Sequence, residues 1–153
     1  MNYREAAIRY LSAGAKSIGQ VEEYLKKREA SESEIEGVVK FLKDLGYLDD
    51  IKYSRGIFER EYEKGRGKSR TLQYLKSKGV NACDAQAGYE RFLEEYEGEY
   101  NERQLAVKEA LKALSDNDLD EKMKQKIARR LAGKGFSSSD IYYALDKING
   151  KIR

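Results

Sequence analysis

The stretch Tyr24-Leu25-Lys26-Lys27-Arg28-Glu29-Ala30-Ser31-Glu32-Ser33-Glu34-Ile35 decides the architecture, because its pattern occurs three times in the chain. Laying Tyr24-Leu25 over Tyr74-Leu75 and Arg130-Leu131 brings further columns into line without gaps. Ala30 falls on Val80 and Phe136, Ser31 on Asn81 and Ser137, Glu34 on Asp84 and Asp140, and Ile35 on Ala85 and Ile141. Each copy reads as the end of one helix, a turn, a capping side chain, an acid in the first turn of the next helix, and the start of its apolar stripe. The stripe continues through Val39, Tyr89 and Leu145 and then Leu42, Phe92 and Ile148. Repetition at this period predicts stacked helical units that bury their apolar faces against neighbours.

Working outward, Ala6, Ala7, Tyr10 and Leu11 mark a first helix that Gly14 ends, and Ser17 is placed to cap a second carrying Val21, Tyr24 and Leu25. The third carries Ile35, Val38, Val39, Leu42 and Leu45 at helical spacing. Gly46-Tyr47-Leu48-Asp49-Asp50 then stops one helix and starts another: Gly46 suits a left-handed cap, and Asp49 or Asp50 offers an oxygen to the new helix's free amides. The same helix, helix, turn, helix order predicts three units, 1–48, 49–97 and 98–153. In the second unit, helices end at Gly65 and Gly79; in the third, Leu105, Ala106, Ala110, Leu111 and Leu114 open the unit, and Met123, Ile127 and Leu131 follow. The acidic Glu94-Glu95-Tyr96-Glu97-Gly98-Glu99-Tyr100 is the candidate joint between units two and three. The expectation is an all-α chain of three tandem three-helix repeats forming an elongated, curved array.

Composition removes whole classes of chemistry. Without histidine there is no imidazole base or metal ligand, and a single cysteine, Cys83, forms no internal disulfide, which suits a reducing compartment. The absence of proline favours helices. Arg4, Glu5 and Arg9 interrupt the N-terminus as a signal peptide, no apolar run reaches membrane-spanning length, and a cytoplasmic protein without a membrane partner is expected. The net charge of +3 is unevenly spread: residues 51–80 balance at +6 and residues 81–100 at −5. A basic middle beside an acidic flank steers a chain towards a polyanion or a patterned protein surface.

No catalytic or cofactor motif survives inspection. Gly67-Lys68-Ser69 resembles the end of a P-loop, but Tyr62 stands where its first glycine belongs and no strand precedes it. Asp116, Asp118 and Asp120 imitate half of a calcium loop, yet Glu121 and Ile127 occupy the positions of its glycine and bidentate glutamate; a polar connection ending in a cap at Asp120 accounts for them. Asp49 and Asp50 read as caps rather than paired catalytic carboxylates, and Cys83 as a small helix residue with no histidine to activate it. Tyr47, Tyr53 and Tyr62 read as core packing, with stacking on bases the alternative. What remains is charge. Lys64, Arg66, Lys68 and Arg70 alternate through the Gly65–Gly67 turn, Lys76 and Lys78 follow, and Lys122, Lys126, Arg129 and Arg130 spread over one helix of the third unit. Such clusters suit phosphates or acidic protein patches.

The string Gly46-Tyr47-Leu48-Asp49-Asp50, the aromatic helix with Tyr53, Ile57 and Phe58, the Lys64-Gly65-Arg66-Gly67-Lys68 turn and Lys78-Gly79-Val80 together resemble the bacterial RecX family. The resemblance spans nearly the whole chain and departs from the family pattern at Lys68, where proline is common, and at Lys16-Ser17. It implies tandem three-helix repeats and a regulatory role, while the lack of a catalytic motif predicts a non-enzymatic binding protein and the apolar stripes, which demand no dimer, a monomer. It implies that the partner is the RecA recombinase, above all its filament on single-stranded DNA, whose ATPase, strand-exchange and coprotease activities it restrains. DNA is then met directly or through the filament. The alternative from the residues alone is a helical nucleic-acid-binding module with no recombinase partner.

Overall fold

The computed structural model describes residues 2–96 and 101–152. Among these the chain is all helix: α1 Tyr3–Ser12, α2 Ile18–Lys27, α3 Glu32–Asp44, α4 Asp50–Glu63, α5 Lys68–Ser77, α6 Ala82–Glu95, α7 Glu102–Leu114, α8 Glu121–Gly133 and α9 Ser138–Ile152. No helix is long and apolar enough to cross a membrane among the described residues. Residues 97–100 of the candidate acidic joint, Gly98 included, lie outside them.

The helices begin where the sequence places caps. Ser17 and Ser31 each form a reciprocal capping box, with Gln20 and Glu34. In the aligned column, Ser31, Asn81 and Ser137 accept from the amides of Glu34, Asp84 and Asp140 at 3.1, 2.8 and 3.1 Å. The turn before each is also repeated. The amides of Ala30, Val80 and Phe136 donate to the carbonyls of Leu25, Leu75 and Leu131 at 3.1, 3.1 and 3.2 Å. Between them Glu29, Gly79 and Gly135 adopt φ of 67°, 80° and 93°, the left-handed step that closes a helix. Leu25, Leu75 and Leu131 are all fully buried, so each anchors the turn by packing and by its carbonyl.

The chain forms two compact units, Met1–Gly56 with Tyr74–Arg91, and Ile57–Gln73 with Phe92–Arg153. Helices α4, α5 and α6 each contribute to both. The first unit is built on Ala7, Val21, Leu25, Val38, Leu42 and Leu48. Gly88 of α6 touches α4 there: a Cβ on it would stand 2.9 Å from the Arg55 nitrogen and the Ile51 carbonyl oxygen. The second unit is built on α7, α8 and α9, from Leu105, Ala106, Ala110, Leu114, Ile127, Leu131, Phe136, Ala144 and Ile148, with Tyr62 packed against them. Beside it Phe92 stacks near Phe58 and Tyr96, and the Tyr96 hydroxyl donates to Glu59 at 2.8 Å.

Three apolar expectations are corrected. Leu45 is 51% exposed and Leu111 37%, though both extend helical stripes, and Tyr47 is exposed rather than packed. The reason at the first site is the left-handed step at Gly46. It turns the chain back so that the Tyr47 and Leu48 amides both reach the Leu42 carbonyl, which buries Leu48 and leaves Leu45 and Tyr47 outside. Tyr53 is buried and Tyr62 half-buried, as the packing reading expects.

Within each unit one helix start is tied to the following helices by two contacts. In the first, the Ser17 hydroxyl donates to the Lys78 carbonyl, and the Asp50 carboxylate accepts from the Ile18 amide at 2.8 Å. In the second, the Gly67 amide donates to the Lys134 carbonyl at 2.7 Å, and the Glu102 carboxylate accepts from the Lys68 amide. Asp49, not Asp50, caps α4, accepting from Ile51 and Lys52 at 3.0 and 3.2 Å. Asp50 instead serves the N-terminus of α2, where a carboxylate also meets the positive end of the helix dipole.

Candidate partner interface

The cationic turn after α4 is held from beneath by carboxylates. Gly65 takes φ of 73° and lies against the Glu109 carboxylate, which leaves no space for a side chain. Glu61, buried in the last turns of α4, accepts from Arg66 and from Arg60, each at 2.8 Å. Burial works against its ionisation, but the two guanidiniums outweigh that and hold its carboxyl below the ordinary value. Glu109, from the centre of α7, is buried and pairs with Lys134 at 3.0 Å and Lys112 at 3.2 Å. Its carboxyl is lowered in the same way, burial being overcome by the two ammoniums.

These pairs sort the cations that the sequence singles out. Arg66 is engaged with Glu61 and serves the turn, so it is not freely offered to a partner. Lys68 is half-buried and gives its amide to Glu102. Arg70 is exposed and reaches the Gly133 carbonyl at 3.2 Å. Lys64 is exposed. On α8, Lys122, Lys126, Arg129 and Arg130 are exposed, spread around the helix outside the buried Ile127 and Leu131. The Gly67–Lys134 and Arg70–Gly133 bonds set the start of α5 against the end of α8. Two basic segments some sixty residues apart in sequence thereby share one region of the second unit. Lys76 and Lys78 belong to the first unit; Lys76 is exposed and the Lys78 ammonium lies over the Tyr74 ring at 5.4 Å.

The glycines of the motif have structural duties. A Cβ on Gly67 would come within 2.7 Å of the Gly135 carbonyl oxygen, and Gly79 packs on Gly19 backbone to backbone. Sequence reasoning passed over Glu61, Glu102 and Glu109, the carboxylates that fix the turn. Glu61 carries a local signal, since it lies five residues before Arg66 with the turn between; Glu109 has none, because its lysines come from two other places in the chain. The Asp120 reading holds: its carboxylate accepts from the Met123 amide at 2.8 Å and caps α8. Cys83 is exposed.

Comparison with known proteins agrees with this architecture. Residues 4–42 match the family model described as RecX, first three-helix domain, and residues 101–145 match RecX, third three-helix domain. Regulatory protein RecX of Vibrio parahaemolyticus is 30% identical over 146 residues, covering 95% of this chain and 90% of that protein. The Bacillus subtilis protein of the same name is 30% identical over 144 residues, 93% of this chain but 53% of its own length. A crystal structure of regulatory protein RecX superposes with a TM-score of 0.75 at 25% identity, over 94% of this chain and 70% of that one. RecX from Lactobacillus salivarius shares the fold, with a TM-score of 0.79 at 23% identity over 96% and 94% of the two chains. With relatives matched along nearly its whole length and family models at both ends, this chain belongs to the RecX family of regulatory proteins.

Proposed function

We propose that the chain binds the RecA recombinase assembled on single-stranded DNA and restrains its ATPase, strand-exchange and coprotease activities, acting in the cytoplasm as a monomer without chemistry of its own. The observation that carries this beyond family membership is that exposed Arg70 of α5 reaches the end of α8, the helix that carries exposed Arg129 and Arg130, in the same unit as the turn that carries exposed Lys64. A cationic surface on a rigid helical frame suits the acidic patches and phosphates of a nucleoprotein filament, and contacts to successive subunits would oppose the motions of ATP turnover.

The test replaces Lys64, Arg70, Arg129 and Arg130 with glutamate, leaving Arg66 in place because its loss would take one of two partners from the buried Glu61. Binding is measured to the recombinase filament on single-stranded DNA with a slowly hydrolysed ATP analogue, at two salt concentrations, beside bare DNA. The reading expects at least a tenfold loss of filament binding with unchanged helix content. Undiminished inhibition by the variant removes these cations from the interface. Equal binding of the parent chain to bare DNA, collapsing at the higher salt, favours the module without a recombinase partner.

A further inference from the structure

Tyr142 of α9 is 75% exposed, the most open large apolar side chain among the described residues. It lines a groove of about 500 Å³ that lies wholly within the second unit. Tyr142, Leu145 and Asp146 form one wall, and Glu121, Lys124 and Gln125 of α8 form the other. Each set runs i, i+3, i+4 and so shares one helix face. The exposed Lys122, Lys126 and Arg129 of α8 follow one another on a different face. Within the groove the Lys124 ammonium is already spent on Glu121, at 3.4 Å. The Asp146 carboxylate has no partner among the described residues. The Tyr142 ring is equally unspent, which sets it apart from other rings of the chain. Lys16 lies over Tyr10 at 4.9 Å and Arg28 over Tyr24 at 4.1 Å, while Tyr143, next to Tyr142, takes both Arg103 at 5.1 Å and Lys147 at 5.4 Å. Among the described residues no cation covers Tyr142.

We infer that this groove receives an arginine side chain of a protein partner, its guanidinium stacked on the Tyr142 ring and its edge on the Asp146 carboxylate. The occupant is read from the groove itself and does not rest on the function proposed above. An open ring face attracts a cation, and a carboxylate one helical turn along the same face holds it there. Arginine fits both at once: its planar fork stacks on a ring while two N–H groups meet a carboxylate in the same plane. A lysine ammonium is a point charge and must favour one or the other. The Gln125 side-chain carbonyl, on the facing wall, can accept a further guanidinium N–H. A polyanion would instead set its charge against Asp146 and Glu121, and an apolar segment would bury the Asp146 carboxylate without a partner. The second unit thus offers cations on one face of α8 and a receiver for a cation on another. A surface patterned in both signs fixes the orientation of what docks on it.

The experiment titrates the isotopically labelled full chain with a Gly-Arg-Gly peptide blocked at both ends and follows the amide NMR shifts, beside the same peptide carrying lysine or citrulline at its centre. Saturable shifts at Tyr142, Leu145 and Asp146 are expected with arginine, weaker binding by about threefold with lysine, and no saturation with citrulline, which keeps the shape and loses the charge. Tyr142→Leu and Asp146→Asn should each weaken the arginine peptide by about threefold. Both side chains are exposed, so circular dichroism should show unchanged helix content. Shifts centred elsewhere, a lysine or citrulline peptide bound as tightly as arginine, or undiminished binding by either variant overturns the inference. Shifts at the same residues when the parent chain is concentrated alone would give the groove to an arginine of a second copy, and would overturn the separate partner.

Discussion

The two helix-start joints solve one problem with different chemistry. In both, the residue before a second helix donates to the carbonyl at the end of the next second helix, and a carboxylate from the start of an intervening helix accepts from the first amide. Ser17 and Gly67 are equivalent in the repeat register, as are Lys78 and Lys134, and Ile18 and Lys68. But the first joint donates through the Ser17 hydroxyl, whereas the second donates through the Gly67 backbone itself. Ser17 also caps its own helix, accepting from the Gln20 amide at 3.1 Å. Gly67 has no side chain, so the backbones must come closer. Repetition thus conserves where a contact is made while letting the group that makes it change. The tighter version, having no side chain to yield, is the more brittle.

That difference is exposed most strongly by Gly67→Ala. The added methyl meets the Gly135 carbonyl oxygen and carbon at 2.7 and 2.9 Å, backbone atoms that shift only with their helices. Overpacking of this kind predicts a loss of about 3 kcal/mol in denaturant unfolding. Hydrogen exchange should locate the loss in the second unit, at the Phe136 amide rather than at Val80. A loss spread equally over both amides would show that the joints are not independent. Ser17→Ala is milder. It removes a cap and leaves the Lys78 carbonyl without its hydroxyl donor, which predicts about 1.5 kcal/mol, concentrated in the first unit. If it proved as damaging as Gly67→Ala, the claim that the hydroxyl joint is the more tolerant one would fail.

Much of the fold was legible because its signals are local and repeated. Ser31, Asn81 and Ser137 had only to be caps, and Leu25, Leu75 and Leu131 only to be buried, for the columns to read correctly. Leu45 misled because a helical stripe says nothing of where the helix stops; the reversal at Gly46 hands its place in the core to Leu48. The candidate site was less legible. Its cations were visible as a charge run, but the engagement of Arg66 by Glu61 and the seat of the Gly65 turn on Glu109 depend on packing that no spacing rule encodes. Asp50 is the same lesson in miniature. Beside Asp49 it reads as a second cap for α4, yet its partner amide lies thirty-two residues back at Ile18.

The helix-closing turns offer a stabilising change. At the equivalent position the first turn has Glu29 at φ of 67°, while the others have Gly79 and Gly135. A side chain in the left-handed region carries a penalty of about 1 kcal/mol. Glu29→Gly should therefore raise the unfolding free energy, but only by a few tenths of a kcal/mol, since about 0.4–1 kcal/mol is returned to the greater freedom of the unfolded chain. The gain belongs to the first unit and should appear as greater protection of the Ala30 amide, with that of Phe136 unmoved. Equal protection before and after would mean that the Glu29 side chain offsets its own strain.

Acid sharpens the comparison with the smallest net effect, because the units respond in opposite senses. Glu61 and Glu109 have carboxyls lowered from 4.5, burial being outweighed by Arg66 with Arg60 and by Lys134 with Lys112. Their stabilisation is complete above 4.5 and is lost as the pH falls through the lowered values, so the second unit weakens. Asp50 is raised from 3.8, chiefly by burial and further by the nearby Asp84, against the pull of the Ile18 amide. Folded, it holds a proton more tightly than unfolded, so lowering the pH through its raised value adds stability to the first unit until the ordinary value is passed. Glu34, lowered by its bonds to Ser31, works the other way there, but it is fully exposed and its share is small. Opening free energies from exchange at the Val80 and Phe136 amides between pH 6 and 3.5, corrected for intrinsic rates, should diverge, with Phe136 falling more. Parallel decline would show that Asp50 stays ionised in its joint and that the Ile18 bond, not burial, governs it.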